Sequence, residues 1–205
     1  GKLEVSKLNQ DVMDIGGLTS KKIKCFLNNL CGYEGSKYLE IGVHKGATFF
    51  SALYNNKTQS IAIDNWSVGE IIPSIMPVWA NNQKQTDIKA EFLSNLKKFK
   101  GINDVQILHE NYLNFDKKRL LYEPNIVFYD GEHTFADQYQ VLLDLQNYSC
   151  KDLVLIVDDW NWEKRGILKG IEDSCFKIEY KKEIFTKIED PEDFWNGLGI
   201  FKLKK

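Results

Sequence analysis

The chain has 205 residues and a formal net charge of −2, because Lys and Arg nearly balance Asp and Glu. This length suits one substantial core, so we expect a single domain over residues 1–205. The weak net charge favours neither a nucleic acid nor a membrane as a partner. Because no apolar run approaches the roughly 20 residues that cross a bilayer, and no leader-like segment opens the chain, we expect a cytoplasmic protein.

The first elements in chain order predict a helix, a strand, a helix and a strand. Leu18 to Cys31 carries apolar residues at a helical period, which predicts a helix within an N-terminal lead-in over residues 1–34. Lys37 to Val43 reads as a short strand, and the apolar stretch Ala47 to Tyr54 suits the helix after it. A second strand, Ser60 to Ile63, ends at an aspartate.

Residues 66–100 are expected to form an insertion and a helix between the second and third strands. The stretch from Trp66 to Asn82 mixes two prolines with aromatic and aliphatic residues, so it predicts an irregular segment. Its apolar side chains suit covering a cleft, packing on the core or forming a homodimer contact, and these alternatives stay open. An amphipathic helix follows over about Thr86 to Phe99.

The rest of the chain predicts an α/β fold. Further strands are expected at Val105–His109, Asn125–Tyr129 and Leu153–Val157, and further helices at about Asp137–Tyr148 and Glu163–Cys175. Strands that are apolar on both faces belong in a parallel sheet with helices on both sides. The last two strands, over about 176–185 and 197–203, predict a closing antiparallel hairpin. We therefore expect a Rossmann-like, doubly wound, mostly parallel sheet.

The turn after the first strand has the sequence Glu40-Ile-Gly42-Val-His44-Lys-Gly46. Two glycines let a ligand approach the backbone beyond the carboxyl end of a strand, where open α/β sheets bind ligands. The spacing differs from the G-x-G-x-x-G of dinucleotide enzymes. A carboxylate at Glu40 would repel a pyrophosphate and would suit a ligand that carries an ammonium group.

Asp64 ends the second strand, where a carboxylate can accept hydrogen bonds from both hydroxyls of a ribose. Two glycines alone also fit an ordinary turn, and a single aspartate also fits a helix cap. Together with Glu40 they favour a nucleoside that carries an amino-acid cation. His44 and His109 suit structural roles or the lining of the cleft better than catalysis.

Two more strand ends carry acids: Asp130, and Asp158 with Asp159. Solvated loop acids are the simple alternative, but these three would emerge at one edge of a parallel sheet and repel one another. A divalent cation, Mg²⁺ most simply, would neutralise them. It would also lower the pKa of a substrate hydroxyl, whose proton Glu132 or His133 would accept.

Taken jointly, these motifs resemble a known family. The chain reads E-I-G-V-H-x-G, then D-x-W from Asp64, D-G-x-H from Asp130 and D-D-W from Asp158. This pattern resembles the small-molecule O-methyltransferases related to macrocin O-methyltransferase and the cephalosporin-hydroxylase-like proteins, of the methyltransferase family 24 type. The resemblance covers roughly residues 37–160 and implies the seven-stranded class I methyltransferase sheet.

The resemblance also implies site residues. S-adenosylmethionine contacts are implied at Glu40, Gly42, Gly46 and Asp64, and a divalent metal at Asp130, Asp158 and Asp159. The full set that we expect to bind the cofactor is Glu40, Gly42, His44, Gly46, Asp64, Trp66, Glu110, Asn111 and Asp130.

The catalytic base departs from the pattern of the family. In one branch the proposed base is an Asp two places after the first metal ligand, where this chain has Glu132. Catechol-type relatives have a Lys three places after that ligand, where this chain has His133. The resemblance therefore leaves the base open between these two residues.

The function that we expect is Mg²⁺-assisted transfer of a methyl group from S-adenosylmethionine to a hydroxyl of a small molecule, a sugar among the candidates. A different class of function is a methyltransferase-like protein that binds a nucleoside or a partner without catalysis. A nicotinamide oxidoreductase is disfavoured by Glu40 and the glycine spacing. Nucleic-acid methylation lacks both an N-P-P-Y-like motif and a basic face with aromatic residues.

Overall fold

The computed structural model describes residues 6–67 and 87–205, which are organised around a seven-stranded sheet. The order across the sheet is β3-β2-β1-β4-β5-β7-β6. The strands β1 to β5 are parallel, whereas β7 runs antiparallel to both of its neighbours. This confirms the predicted Rossmann-like sheet with a C-terminal antiparallel hairpin. The strands are β1 Lys37–Ile41, β2 Gln59–Asp64, β3 Asp104–His109, β4 Ile126–Tyr129, β5 Asp152–Val157, β6 Lys177–Ile184 and β7 Leu198–Lys204.

Helices cover both faces of the sheet. Side-chain caps mark where two of them begin: Ser20 accepts a hydrogen bond from the Ile23 N–H, and Thr134 accepts one from the Asp137 N–H. Within the described ranges, no helix is long and apolar enough to cross a membrane. The helices are α1 Gln10–Met13, α2 Lys21–Leu30, α3 Ala47–Leu53, α4 Ile88–Phe99, α5 Phe135–Tyr148 and α6 Arg165–Asp173, with a 3-10 turn at Lys117–Arg119.

The central strand β4 shows how the core is divided between the two faces. Its alternate residues Ile126 and Phe128 pack with α1 to α4, whereas Val127 and Tyr129 pack with α5 and α6. All four side chains are buried. A strand that is apolar on both faces is what a sheet between two helical layers requires.

The predicted elements differ from the observed ones mainly at their ends. The first predicted helix, Leu18–Cys31, is found at Lys21–Leu30, because Ser20 caps it. The short helix α1 and the 3-10 turn were not predicted, since neither is long enough to show a periodic pattern. Most of the insertion predicted from Trp66 to Asn82 lies outside the described residues.

The direction of β7 matters for the site. The five parallel strands all end at one edge of the sheet, and β7 begins at that edge because it runs in the opposite direction. The loop between β6 and β7, residues 185–197, therefore lies beside the segments that follow β4 and β5. The carbonyl oxygen of its residue Asn196 accepts a hydrogen bond from the backbone N–H of Asn161, which follows β5.

Candidate active site

A cavity of about 480 Å³ opens at the carboxyl edge of the sheet. Its walls come mainly from the segments after β1 to β5 and from the loop between β6 and β7, and residues 17–19, before α2, line it as well. This is the edge where open α/β sheets bind ligands. Three predicted site residues, Glu40, Gly46 and Asp158, do not line it. The predicted residues that do are Gly42, His44, Asp64, Trp66, Glu110, Asn111, Asp130, Glu132, His133 and Asp159.

The turn after β1 requires its glycines for reasons within the protein. Gly42 has a φ of +85°, and a Cβ there would lie 1.8 Å from the carbonyl oxygen of Asp130. Gly46 has a φ of +86° and precedes α3, where a Cβ would meet the ring of Phe50 at 2.2 Å. Both positions favour glycine because side chains rarely adopt this backbone conformation. The first glycine lets the β1 and β4 segments touch at the cavity wall.

Asp64 fastens this turn to the end of β2. Its Oδ2 accepts hydrogen bonds from the backbone N–H groups of Val43 and His44, both at 2.8 Å, and its Oδ1 accepts one from the Trp66 N–H at 2.6 Å. A carboxylate offers about four acceptor positions, so these three bonds leave about one for a ligand. Two ribose hydroxyls would need two acceptor positions on Asp64. One of them would have to be a position that already accepts a hydrogen bond from the backbone.

Glu40 lies beneath the turn and is fully buried. Thr48 donates a hydrogen bond to its Oε1 at 2.6 Å, and the Tyr38 hydroxyl donates one to its Oε2. Burial raises the pKa of Glu40 well above its ordinary value. Thr48 also lines the cavity, so it connects Glu40 to the space that a ligand would occupy.

His44 and Trp66 form the wall between the turn and β2. Both ring nitrogens of His44 are buried and have no hydrogen-bond partner among the described residues. Burial, reinforced by the charge of Lys45, lowers the pKa of His44 to about 4, so its ring is neutral at neutral pH. The Trp66 indole N–H donates to the His44 carbonyl at 2.9 Å, which fixes the indole against the turn.

Glu110 and Asn111 follow β3 and complete this end of the cavity. The Glu110 N–H donates to the Asp64 carbonyl oxygen at 3.1 Å, so the two strand ends stay together. The Glu110 carboxylate faces Arg119 at 2.8 Å. Asn111 accepts a hydrogen bond from the Leu113 N–H at 2.9 Å, which holds its side chain in a local turn.

A cluster of Asp130, His133 and Asp159 lies at the ends of β4 and β5. The Nε2 of His133 is 3.2 Å from the Oδ2 of Asp159 and 3.7 Å from the Oδ1 of Asp130. One ligand atom from each residue lies within 4.8 Å of the other two, a spacing that could hold a metal ion. Two carboxylates and an imidazole nitrogen form a donor set that divalent cations accept.

Asp158 was predicted as a metal ligand, but the structure brings His133 to this cluster in its place. Asp158 directly follows β5, and Asp159 after it has a left-handed backbone with a φ of +54°. Asp158 is 2% exposed, and its Oδ1 has no hydrogen-bond partner among the described residues. Burial and the nearby charge of Asp130 raise its pKa well above the ordinary value.

The protonation of the cluster follows from its geometry. Burial disfavours a charge on His133, but its contacts with the carboxylates of Asp130 and Asp159 outweigh that effect and raise its pKa to about 10. Burial raises the pKa of Asp130 to about 6. In this arrangement the ring of His133 is a cation between two acids, so it must lose a proton before it can act as a base.

The loop between β6 and β7 supplies site residues that were not predicted. Asn196 is buried; its amide donates to the Oδ1 of Asp159 at 2.7 Å, and its carbonyl accepts from the Glu189 N–H at 2.6 Å. Glu189 and Trp195 line the cavity as well. The sequence could have indicated this loop, because an antiparallel last strand must begin at the ligand edge, and Trp195-Asn196-Gly197 immediately precedes that strand.

Comparison with known proteins gives similarity in structure but not in sequence. Neither a protein-family model nor a curated protein sequence matches the chain. The precorrin-6y C5,15-methyltransferase of Geobacter metallireducens is 13% identical, with a TM-score of 0.60 over 98% of both chains. A putative methyltransferase complexed with SAH is 12% identical, with a TM-score of 0.60 over 93% of this chain and 50% of that one.

A putative O-methyltransferase of Klebsiella pneumoniae is 10% identical, with a TM-score of 0.54 over 89% of this chain and 78% of that one. Other solved structures that match are described as RNA or ribosomal-protein methylases, so the similarity does not select one branch of methyltransferases. The resemblance to family 24 is therefore not confirmed. The chain has the Rossmann-like fold of class I S-adenosylmethionine-dependent methyltransferases.

Proposed function

We propose that the chain transfers a methyl group from S-adenosylmethionine to a hydroxyl of a small molecule, a sugar among the candidates, with a divalent cation such as Mg²⁺. The observation that carries this proposal is one cavity with two different ends. A glycine turn fastened by Asp64 bounds one end, and the cluster of Asp130, His133 and Asp159 bounds the other. The fold similarity supports the methyl donor, and the cluster supports the acceptor chemistry.

The donor would lie along the β1 turn. Gly42 presents no side chain there, so a ligand can reach the backbone between β1 and β4. Trp66 and Glu110 flank the adjoining end of the cavity, where the nucleoside would lie. Thr48 and the remaining acceptor position of Asp64 are the polar contacts available to it.

The transfer itself needs position more than covalent help from the protein. The hydroxyl oxygen of the acceptor attacks the methyl carbon, the carbon–sulfur bond breaks, and its electron pair stays on sulfur to give S-adenosylhomocysteine. The hydroxyl proton passes to a base. Glu132 and His133 both line the cavity and are the two candidates for that role; if His133 holds the cation, Glu132 is the base.

A divalent cation fits the residues of the cluster once His133 has lost its second proton, because a neutral imidazole is the form that binds metals. Asp130, His133 and Asp159 would hold it, and Asn196 would keep Asp159 in place. When bound, the cation would lower the pKa of the acceptor hydroxyl. Its charge would also relieve the repulsion among the buried acids.

Calorimetry with S-adenosylhomocysteine tests the donor, and a crystal soaked with this product and Mn²⁺ tests the cation by anomalous scattering. Absence of S-adenosylhomocysteine binding to folded protein, with and without Mg²⁺, overturns the proposal. A nucleoside-binding protein without catalysis would instead bind S-adenosylhomocysteine, and substitution of Asp158 and Asp159 would leave that binding unchanged. It would methylate no member of a library of hydroxyl compounds.

A further inference from the structure

The cavity wall carries information on the charge of the methyl acceptor, an inference that rests on the proposed function. Acidic side chains recur around the whole cavity, whereas no Lys or Arg is among the described residues that line it. Most of these carboxylates already have partners. Asp64 binds backbone N–H groups, Asp159 binds His133 and Asn196, and the Glu110 carboxylate binds an arginine.

Glu132 and Glu189 differ from the others, because neither carboxylate has a hydrogen bond or ion pair with any described residue. Glu132 is exposed, so water can solvate it. Glu189 is half-buried and lines the cavity, so its carboxylate is open to a ligand there. A ligand cation would supply the missing partner.

The position of Glu189 is held from within the site. Its backbone has a φ of +51°, which a residue with a side chain seldom adopts, and its N–H donates to the Oδ1 of Asn196 at 2.6 Å. Asn196 is in turn hydrogen-bonded to Asp159 at 2.7 Å. The backbone of Glu189 is therefore fixed beside the reacting end of the cavity.

This end lies away from the donor turn. Asp64 ends β2 and Asp159 follows β5, and three strand spacings separate β2 from β5, or about 14 Å. This distance separates Glu189 from the donor's ribose contact at Asp64. The sulfonium of the donor must approach the reacting end to deliver its methyl group, but it has no N–H to donate to a carboxylate, whereas a protonated amine has. Trp162 and Trp195 line the cavity too, and indole rings attract organic cations.

We propose that Glu189 recognises a protonated amine on the methyl acceptor, so that the acceptors are amino alcohols. The hydroxyl would lie toward Asp130 and Asp159, and the ammonium group would lie between the Glu189 carboxylate and the tryptophans. Glu189 is then a specificity-determining residue, whereas the reaction at the hydroxyl uses the cluster.

The test is calorimetry on the full chain saturated with S-adenosylhomocysteine. The probes are amino alcohols, each paired with its neutral N-acetyl derivative, such as glucosamine with N-acetylglucosamine. The amine should bind more tightly than its acetylated partner by about three- to tenfold, as expected for a partly exposed charged hydrogen bond. Glu189→Gln should abolish that preference, and Glu192→Gln, on an exposed residue of the same loop that does not line the cavity, should keep it.

The outcomes separate the two proposals. Loss of S-adenosylhomocysteine binding overturns the proposed function and this inference with it. Intact product binding overturns this inference alone if the N-acetyl derivatives bind as tightly as the amines, if Glu189→Gln keeps the preference, or if no amino alcohol binds. Equal melting temperatures of the two variants would show that a loss of preference does not come from unfolding.

Discussion

The two ends of the cavity differ in the interactions that hold their side chains in place. At the donor end, Asp64 gives its carboxylate to backbone N–H groups, and burial keeps the nearby His44 neutral. At the acceptor end, His133 lies between two carboxylates that hold it in the charged form. The donor end is thus set mainly by backbone geometry, and the acceptor end mainly by charge.

The largest expected effect is on the donor turn. Gly42→Ala would place a Cβ 1.8 Å from the Asp130 carbonyl oxygen, so β1 and β4 must separate. We expect the unfolding free energy to fall by about 4 kcal/mol, measured by urea denaturation. We also expect S-adenosylhomocysteine binding to be lost, measured by calorimetry. Gly35→Ala is the control: its φ is +81°, but nothing lies near its Cβ, so only about 1 kcal/mol should be lost. Equal losses would show that the clash is irrelevant.

Removal of the carboxylate that fastens the turn comes next. Asp64→Ala leaves three backbone N–H groups without their acceptor, which should cost about 3 kcal/mol and weaken product binding. Asp87→Ala is the matched control, because Asp87 accepts only one such bond, ahead of α4, and should cost about 1 kcal/mol. Unfolding curves for both variants give the comparison; a smaller loss for Asp64→Ala would contradict it.

The neutral histidine gives a dependence on pH. The pKa of His44 is lowered to about 4 from 6.5, so as pH falls the unfolded chain takes up this proton before the folded chain does. Because one unit of pKa shift corresponds to about 1.4 kcal/mol, the unfolding free energy should fall by about 3 kcal/mol between pH 6.5 and 4. His44→Gln should flatten that part of the curve of unfolding free energy against pH. An unchanged slope would mean that His44 titrates normally in the folded protein.

The smallest expected effect distinguishes the acceptor end. Asn196→Ala and Asn161→Ala each remove side-chain bonds of the loop between β6 and β7, so each should cost about 1 kcal/mol. Of the two, only Asn196 contacts Asp159. Only its substitution should therefore weaken Mn²⁺ binding, by roughly tenfold, which is typical when a residue that hydrogen-bonds to a metal ligand is removed. Electron paramagnetic resonance measures free Mn²⁺; equal weakening by both variants would contradict a specific role for Asn196.

Much of the fold could be predicted because its signals are local. Apolar runs such as Lys37–Ile41 and Asp152–Val157 mark strands that are buried on both faces, and each predicted strand is found within two residues. The edge that gathers Asp64, Asp130 and Asp159 also follows, because parallel strands end together. These residues line one cavity, as that reasoning predicts.

The finer features of the site depend on geometry that a linear pattern does not contain. The left-handed backbone at Asp159, with a φ of +54°, is one such feature, because the D-D-W pattern gives no sign of it. Glu40 is buried because Tyr38 and Thr48 supply its hydrogen bonds, and those partners are identified only once the strand and helix have packed. Asn196 reaches Asp159 across 37 residues of sequence.

The antiparallel course of β7 has a consequence for how the site can change. Residues 185–197 both enter and leave at the ligand edge. Phe194 and Trp195 are buried in the same core cluster as Val43 and Ala47 beside the β1 turn, whereas residues 187–193 are exposed or half-buried. Substitutions within residues 187–193 can therefore alter the acceptor end of the cavity while the packing around the β1 turn is kept.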